Sequence, residues 1–304
     1  MQAWREFRRG DGKCQSNEAI ICLLMKKLQA IQDVEFTYDS QQRPPPALEE
    51  FLDAIKYRDL IYQLVLRDII ARYKRSVLGV FWTMLQPLGM MLVMAVVFST
   101  LFHQIHGYVA YVLSGLIAWT FFSQTTSAAI FQIVWGGVLI RRIYIPMTSF
   151  SISSIGTGMV NLILSLVPLL IIVLIVGRPI TWALLFLPIS ILLLTAFTLG
   201  LSLILSTMTI YFPDVREMYQ IIIQAWMYLT PIVYPTTIIP ETYRFWFLHL
   251  NPMYYMIDMF RAPIYDGALP ALDVFIPGAL ISLITLVVGW IYFAVKADEF
   301  AYRL

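Results

Sequence analysis

Charge is scarce in this chain. Only 13% of its 304 residues are Asp, Glu, Lys or Arg, while 59% are hydrophobic; soluble domains carry roughly 25% charged residues. From Ser76 to Ile140 none of the four occurs, and a stretch of that kind suits a bilayer and not a soluble core. The net charge of +2 is too small to argue for nucleic acid. Cysteine is nearly absent: Cys14 and Cys22 lie near the start without metal-ligand spacing, so they read as unpaired cytosolic thiols. There is no G-x-x-x-x-G-K-[ST] phosphate loop, because Gly12-Lys13 lacks both the upstream glycine spacing and the following hydroxyl. An energy source is therefore missing from this chain. A cleavable leader is not expected, since the apolar Ala19 to Met25 runs directly into Lys26-Lys27 with no small-residue site after it. His103 and His106 share a metal-pair spacing but have no carboxylate nearby, and no nucleophile–base–orienter set can be assembled.

What is present is apolar length broken by punctuation. Residues 1–46 form a polar extension ending in Gln41-Gln42-Arg43-Pro44-Pro45-Pro46, a stiff linker of the polyproline type. Residues 47–76 then turn helical and two-faced. Ile61, Val65, Ile69 and Tyr73 recur every four residues, with Arg58, Arg67, Arg72, Lys74 and Arg75 supplying cations. A basic amphipathic helix just before a membrane span lies in the interface, its cations toward anionic lipid. Uncharged runs follow at Val77–Phe102, Tyr108–Leu139, Ser151–Val176 and Trp182–Ile210, then Met218–Val233 and Val274–Val295. The fold class is thus an all-α polytopic membrane protein with six transmembrane helices, the domain of residues 77–304. Arginine and lysine crowd one set of flanks, and the opposite set holds only Arg178, Arg244 and Arg261. Both termini are therefore expected to be cytoplasmic. No internal repeat is evident, which weakens a reading as a secondary transporter with inverted halves.

Two places depart from plain spans. The fifth run is short and ends in Thr230-Pro231-Ile232-Val233-Tyr234-Pro235, followed by Pro240 and Asn251-Pro252. Such prolines break helices, and broken backbone at membrane depth is tolerated only in protein or beside a water-filled cavity. Pro231, Pro235 and Pro240 therefore suggest an outer gate over residues 235–270. Asp258 and Arg261, on one helical face there, are either part of that gate, a substrate contact, or a local ion pair. The other place is the loop 139–150, where Arg141, Arg142, Tyr144 and Pro146 make either a docking knob for a cytosolic partner or a plain positive-inside loop.

Taken together these residues resemble a family. The run Arg67-Asp68-Ile69-Ile70-Ala71-Arg72-Tyr73-Lys74-Arg75-Ser76-Val77-Leu78-Gly79 leads into Trp82 and Gln86-Pro87. Arg142-Ile143-Tyr144-Ile145-Pro146, Pro213-Asp214-Val215-Arg216, the proline series and Asn251-Pro252-Met253 follow in order. From about Lys56 to Leu304 the chain resembles the membrane (permease) subunit of ABC-2 type polysaccharide exporters for O-antigen, capsule and teichoic acid; the segment before Pro46 departs from the pattern. The resemblance implies a homodimer in the bacterial inner membrane, partnered by two copies of a nucleotide-binding ATPase subunit that holds ATP and Mg. This chain itself would be no enzyme and carry no cofactor or metal. Arg141, Arg142, Tyr144 and Pro146, with Arg72, Lys74 and Arg75, would couple to that ATPase. Two re-entrant helices between spans five and six would form the gate, and the cargo would be an undecaprenyl-linked glycan. Because bare sugar hydroxyls cost roughly 4–8 kcal/mol each in hydrocarbon, such cargo needs a lined channel. Trp82, Tyr219, Trp226 and Tyr228 are its aromatic candidates, with core packing or interfacial anchoring as the alternative for each. An exporter of small lipophilic molecules and a membrane-embedded glycolipid transferase stay open beside this reading.

Overall fold

Lipid offers no partners to peptide groups, so an uncharged apolar segment has to close its hydrogen bonds within itself, as a helix does. The computed structural model describes residues 44–73, 79, 81–98, 106–140, 146–178 and 181–303, and the regular structure among them is helical. The elements are α1 (Pro46–Lys56), α2 (Arg58–Tyr73), α3 (Phe81–Phe98), α4 (Tyr108–Ile140) and α5 (Thr148–Ile175). A 3-10 turn (Trp182–Phe186) leads into α6 (Leu187–Tyr211), followed by α7 (Val215–Leu229). Then come α8 (Glu241–Arg244) with a π-helical Phe245–His249, α9 (Pro252–Arg261) with a π-helical Ala262–Asp266, and α10 (Leu272–Arg303).

The protein is a multi-pass membrane protein. Among the described residues, Phe81–Phe98, Thr148–Ile175, Trp182–Tyr211 and Leu272–Phe300 are each long and apolar enough to cross. Helix α4 is the longest at 33 residues and carries hydroxyls and amides along its middle. Helix α7, with 15 residues, reaches only about 22 Å at ~1.5 Å per residue, short of a hydrocarbon core of about 30 Å. The amphipathic stretch expected as one helix is two, because α1 ends at Tyr57 before α2 begins.

The core lies where α4 passes between α5, α6 and α9. Leu113, Ile117 and Phe122 of α4 and Phe260 of α9 are fully buried there, and Phe122 stacks on Phe197 of α6 at 5.6 Å. Proline breaks the α3 ladder at Pro87, which has no N–H to give the Thr83 carbonyl. Ser165 of α5 shares its hydroxyl between Asn161 O of its own helix, at 2.9 Å, and that carbonyl, at 3.3 Å, so a neighbouring helix partly offsets the break. Helix α1 is fastened to α10: the Trp290 indole donates to the Ala47 carbonyl at 2.9 Å and meets Phe51 edge-on at 6.1 Å. Helix α2 packs Leu60 and Leu64 against Phe150 of α5.

Candidate functional site

At the end of the bundle where α1 and α2 sit, two carboxylates tie them to the membrane helices. Glu50 of α1 accepts a hydrogen bond from the Thr148 hydroxyl, the first residue of α5, at 2.7 Å. Burial pushes the Glu50 carboxyl above its ordinary value, the Thr148 bond opposing only part of the shift. Asp68 of α2 takes Arg67 on one oxygen, at 2.8 Å, and the Gln132 amide of α4 on the other. Gln132 in turn accepts from Ser153 of α5 at 3.0 Å. Helices α4 and α5 are therefore joined to α1 and α2 through hydrogen bonds and not through apolar contact alone.

Midway along the bundle lie two cavities. A chamber of about 420 Å³ is walled by α2, α3, α4 and α5, with Arg72, Trp82, Gln86, Gln124, Thr157 and Asn161 among its lining. A more open groove of about 570 Å³ runs between α3, α4 and α7, where Gln86, Ser123, Gln124, Ser127, Gln220 and Gln224 face it beside Trp119. Gln86 and Gln124 belong to both walls and are bonded to each other at 3.0 Å. Helix α7 is held to α4 by a 2.6 Å bond between Tyr219 and Thr126.

At the far end of α7 the chain leaves the helix, and its orphaned carbonyls find side chains. Arg261 donates to Pro231 O at 3.3 Å and Ile232 O at 3.1 Å. Tyr108 donates to Val233 O at 3.0 Å, and Tyr111 to Tyr234 O at 3.2 Å. The Arg261 guanidinium lies 3.7 Å from the Tyr111 ring centre and is only 4% exposed. Asn251 closes the inner edge: it accepts from the Trp226 indole at 2.8 Å and donates to the Thr230 hydroxyl at 2.9 Å. Beyond this, Arg178 and the Tyr265 hydroxyl both donate to His106 O at 2.6 Å, and Thr181 donates to Gly267 O at 2.6 Å. Three separate turns at this end of the bundle are thereby tied together.

A seam lined by amides and hydroxyls thus runs inside the helical bundle, with broken backbone at one end and α1 and α2 at the other. A family model described as "ABC-2 type transporter" matches residues 59–265. The chain belongs to the ABC-2 type transporter family. It is 30% identical over 248 residues to an O-antigen export system permease protein, RfbA, of Myxococcus xanthus, covering 81% of this chain and 95% of that one. A protein of the same description in Klebsiella pneumoniae is 26% identical over 213 residues, 69% of this chain and 82% of that one. The polysialic acid transport protein KpsM of Escherichia coli is 22% identical over 243 residues, 74% of this chain and 89% of that one.

In this ABC-2 family member the residues singled out from sequence fall in different places. Arg141, Arg142, Tyr144, Lys74 and Arg75 lie outside the described residues. Pro146 is buried at the foot of α5, and Arg72 is exposed where the two cavities adjoin. Trp82 lines the chamber. Tyr219 is buried against α4, whereas Tyr228 is exposed. Trp226 packs edge-on against Phe122 at 5.4 Å and Trp119 at 6.2 Å. Pro231 is buried, Pro235 half-buried and Pro240 exposed. Asp258 is half-buried near Arg261, yet no ion pair within 4.0 Å joins the two. Sequence reasoning gave no role to Gln124, Gln220, Gln224, Tyr108 and Tyr111, and quoted Gln86 and Asn251 only beside their prolines. A legible signal was Gln220 and Gln224, a turn apart in the uncharged run Met218–Val233.

Proposed function

We propose that the chain is the membrane-spanning subunit of an ATP-driven exporter that moves undecaprenyl-linked polysaccharide out across the bacterial inner membrane. It works as a homodimer of six-span subunits with cytoplasmic termini, joined to two copies of a separate nucleotide-binding ATPase that holds ATP and Mg. Support comes from the relatives' described cargo and above all from the groove. A glycan brings many hydroxyls, each costing several kcal/mol if left bare in hydrocarbon. Four glutamines and two serines beside Trp119 offer donors and acceptors of both kinds, and the indole offers a face for sugar rings. Closure of the ATPase pair pushes the loop 139–150, and the Glu50–Thr148 and Asp68–Gln132–Ser153 links carry that motion into α1, α2 and the groove. The proline-broken segment, with its two re-entrant helices, is the outer gate.

The test is deletion and pull-down together. Deletion should remove a surface glycan, and the purified chain should bring down a nucleotide-binding protein unless Arg141 and Arg142 are reversed in charge. ATP hydrolysis by the chain alone would overturn this mechanism. An intact glycan with lost efflux of a lipophilic dye would move the cargo to small molecules. Transfer activity on lipid-linked sugar with no ATPase present would make it a transferase.

A further inference from the structure

Helix α2 turns Asp68, Ala71 and Arg72 toward the chamber on one face. Asp68 is engaged by Arg67 and Gln132. Arg72 is exposed and has no hydrogen bond, ion pair or ring contact among the described residues. Other arginines are occupied within the fold: Arg178 by His106 O and Tyr265, Arg261 by Pro231 O and Ile232 O. Arg244 is also unengaged, but it lines neither cavity. Among the described residues Arg72 is the one cation in the walls of chamber and groove, and it stands in both.

A second guanidinium stands at the same end. Arg216 opens α7 one turn before Gln220, and Gln220 and Gln224 continue its face along the groove. It lies over the Phe131 ring at 5.3 Å. Phe131 lines the chamber with Arg72, and its neighbour Gln132 bonds Asp68 of α2. Arg216 meets Glu217 only at 3.8 Å, with side chains 44% and 78% exposed. Such a surface pair contributes little and leaves Arg216 open to a stronger anion. On the other side of Arg72, α3 exposes Phe81, Trp82 and Leu85, and Trp82 shares the chamber wall with it.

Three chemistries therefore follow one another: an exposed apolar row on α3, two open guanidiniums, and the amides of the groove. An amphiphile with a hydrocarbon tail, an anionic link and a polyol head has the same order. A guanidinium takes phosphate oxygens in a fork, and two of them balance the two charges of a diphosphate diester. A neutral lipophile would leave both cations unmatched, and a free glycan would leave the apolar row bare. We propose that Arg72 and Arg216 seat the diphosphate of an isoprenoid-linked cargo, its tail along α3 and its first sugars at Gln86, Gln124 and Gln220. The inference rests on the polysaccharide reading above. Arg72 then serves the cargo, and not the ATPase contact that the family resemblance implies.

The test uses the full-length chain in phosphatidylcholine nanodiscs doped with undecaprenyl pyrophosphate, undecaprenol or phosphatidylglycerol. A ligand that binds the folded chain raises its melting temperature with dose. Undecaprenyl pyrophosphate should do so and undecaprenol should not. Arg72→Gln should raise the half-stabilising dose roughly 10-fold, the low end for a hydrogen bond to a charged group. Arg72→Lys should recover part of it, keeping the charge without the fork, and Arg216→Gln should shift the dose in the same direction. Melting without added lipid should stay level in Arg72→Gln, because Arg72 touches nothing in the fold; a structural role would lower it. Equal shifts with undecaprenol overturn the seat, since the tail alone would then bind. Equal shifts with phosphatidylglycerol overturn it as a cargo seat and leave a headgroup contact. An unchanged dose in Arg72→Gln overturns it too, and loss of a co-purifying nucleotide-binding protein in that variant would give Arg72 to the partner. Returned to deletion cells, Arg72→Gln should restore less surface glycan than the unaltered chain. Full restoration with an unchanged dose sinks the seat and leaves the exporter standing. A glycan that never depended on the chain sinks the exporter reading, while a dose shifted by Arg72→Gln still upholds the diphosphate seat.

Discussion

Arg261→Gln should loosen the end of the protein beyond α7, and the structure sets how far. The guanidinium serves two carbonyls, Pro231 O and Ile232 O, and lies over Tyr111. A glutamine amide can serve one of them. The other becomes a buried unpaired acceptor, costing about 1–3 kcal/mol, and the lost cation–ring contact adds about 0.5–2 kcal/mol. Removing a buried charge gives some of this back, so a net loss of about 2–3 kcal/mol is expected. Read as melting in nanodiscs, that is a fall of roughly 4–12 °C, at ~2–4 °C per kcal/mol for a chain of 150–250 residues. Dye leak from proteoliposomes should rise alongside. Asp258→Asn is the control. With no ion pair within 4.0 Å of Arg261, it should cost less than about 1 kcal/mol, the range of a weak charge interaction. Gly115→Ala should act like a milder Arg261→Gln, because its Cβ would fall 2.5 Å from Arg261 Nη2. The reasoning is refuted if Asp258→Asn costs as much as Arg261→Gln and the double variant costs no more than either. An ion pair, and not the carbonyls, would then hold the segment.

Two further expectations follow from single bonds. Glu50 has its carboxyl raised by burial, so the docked α1 holds a proton more tightly than the undocked helix. Docking is then favoured in acid and loses that contribution as pH rises past the ordinary value through the raised one. The hydrogen-exchange protection factor of α1, corrected for the base-catalysed intrinsic rate, should be higher at pH 5 than at pH 8, and Glu50→Gln should remove that difference; protection that grows with pH would reverse the sign. Ser165→Ala should cost about 0.5–1.5 kcal/mol, the net worth of one hydrogen bond, because its single hydroxyl proton is shared between Asn161 O at 2.9 Å and Thr83 O at 3.3 Å beside Pro87. Pro87→Ala should rescue the pair by restoring the helical N–H, and a rescue that fails would mean Ser165 acts elsewhere.

The helices were legible because their signals are local: absent charge, apolar length and prolines each act within a turn or two. That α7 is short and ends in broken chain could be read from Thr230 to Pro235. Which groups repair the break could not. Arg261 sits about 30 positions from the carbonyls it serves and Tyr108 about 125, and nothing near either residue marks the pairing. Asp258, three residues away, offered a nearer partner by charge, yet the guanidinium turns to backbone. The cavities were harder still. Gln124 looks incidental, and it gathers with Gln86 and Gln220 only after three helices pack. The split of the N-terminal helix at Tyr57 left no sequence mark, since neither glycine nor proline stands there.

The knot of turns beyond α7 bears on how the protein is made. His106, Arg178 and Tyr265 meet at one carbonyl, yet His106 and Tyr265 are 159 residues apart. At about 5–20 residues per second of synthesis, the first turn waits roughly 8–30 s for the last. Until then the His106 carbonyl is held by Arg178 alone, and the Tyr265 hydroxyl joins it only when the final hairpin has been threaded through. Truncated chains ending before Tyr265 keep that first bond but lack both the second donor and the tie from Thr181 to Gly267, so the completed knot marks the finished subunit.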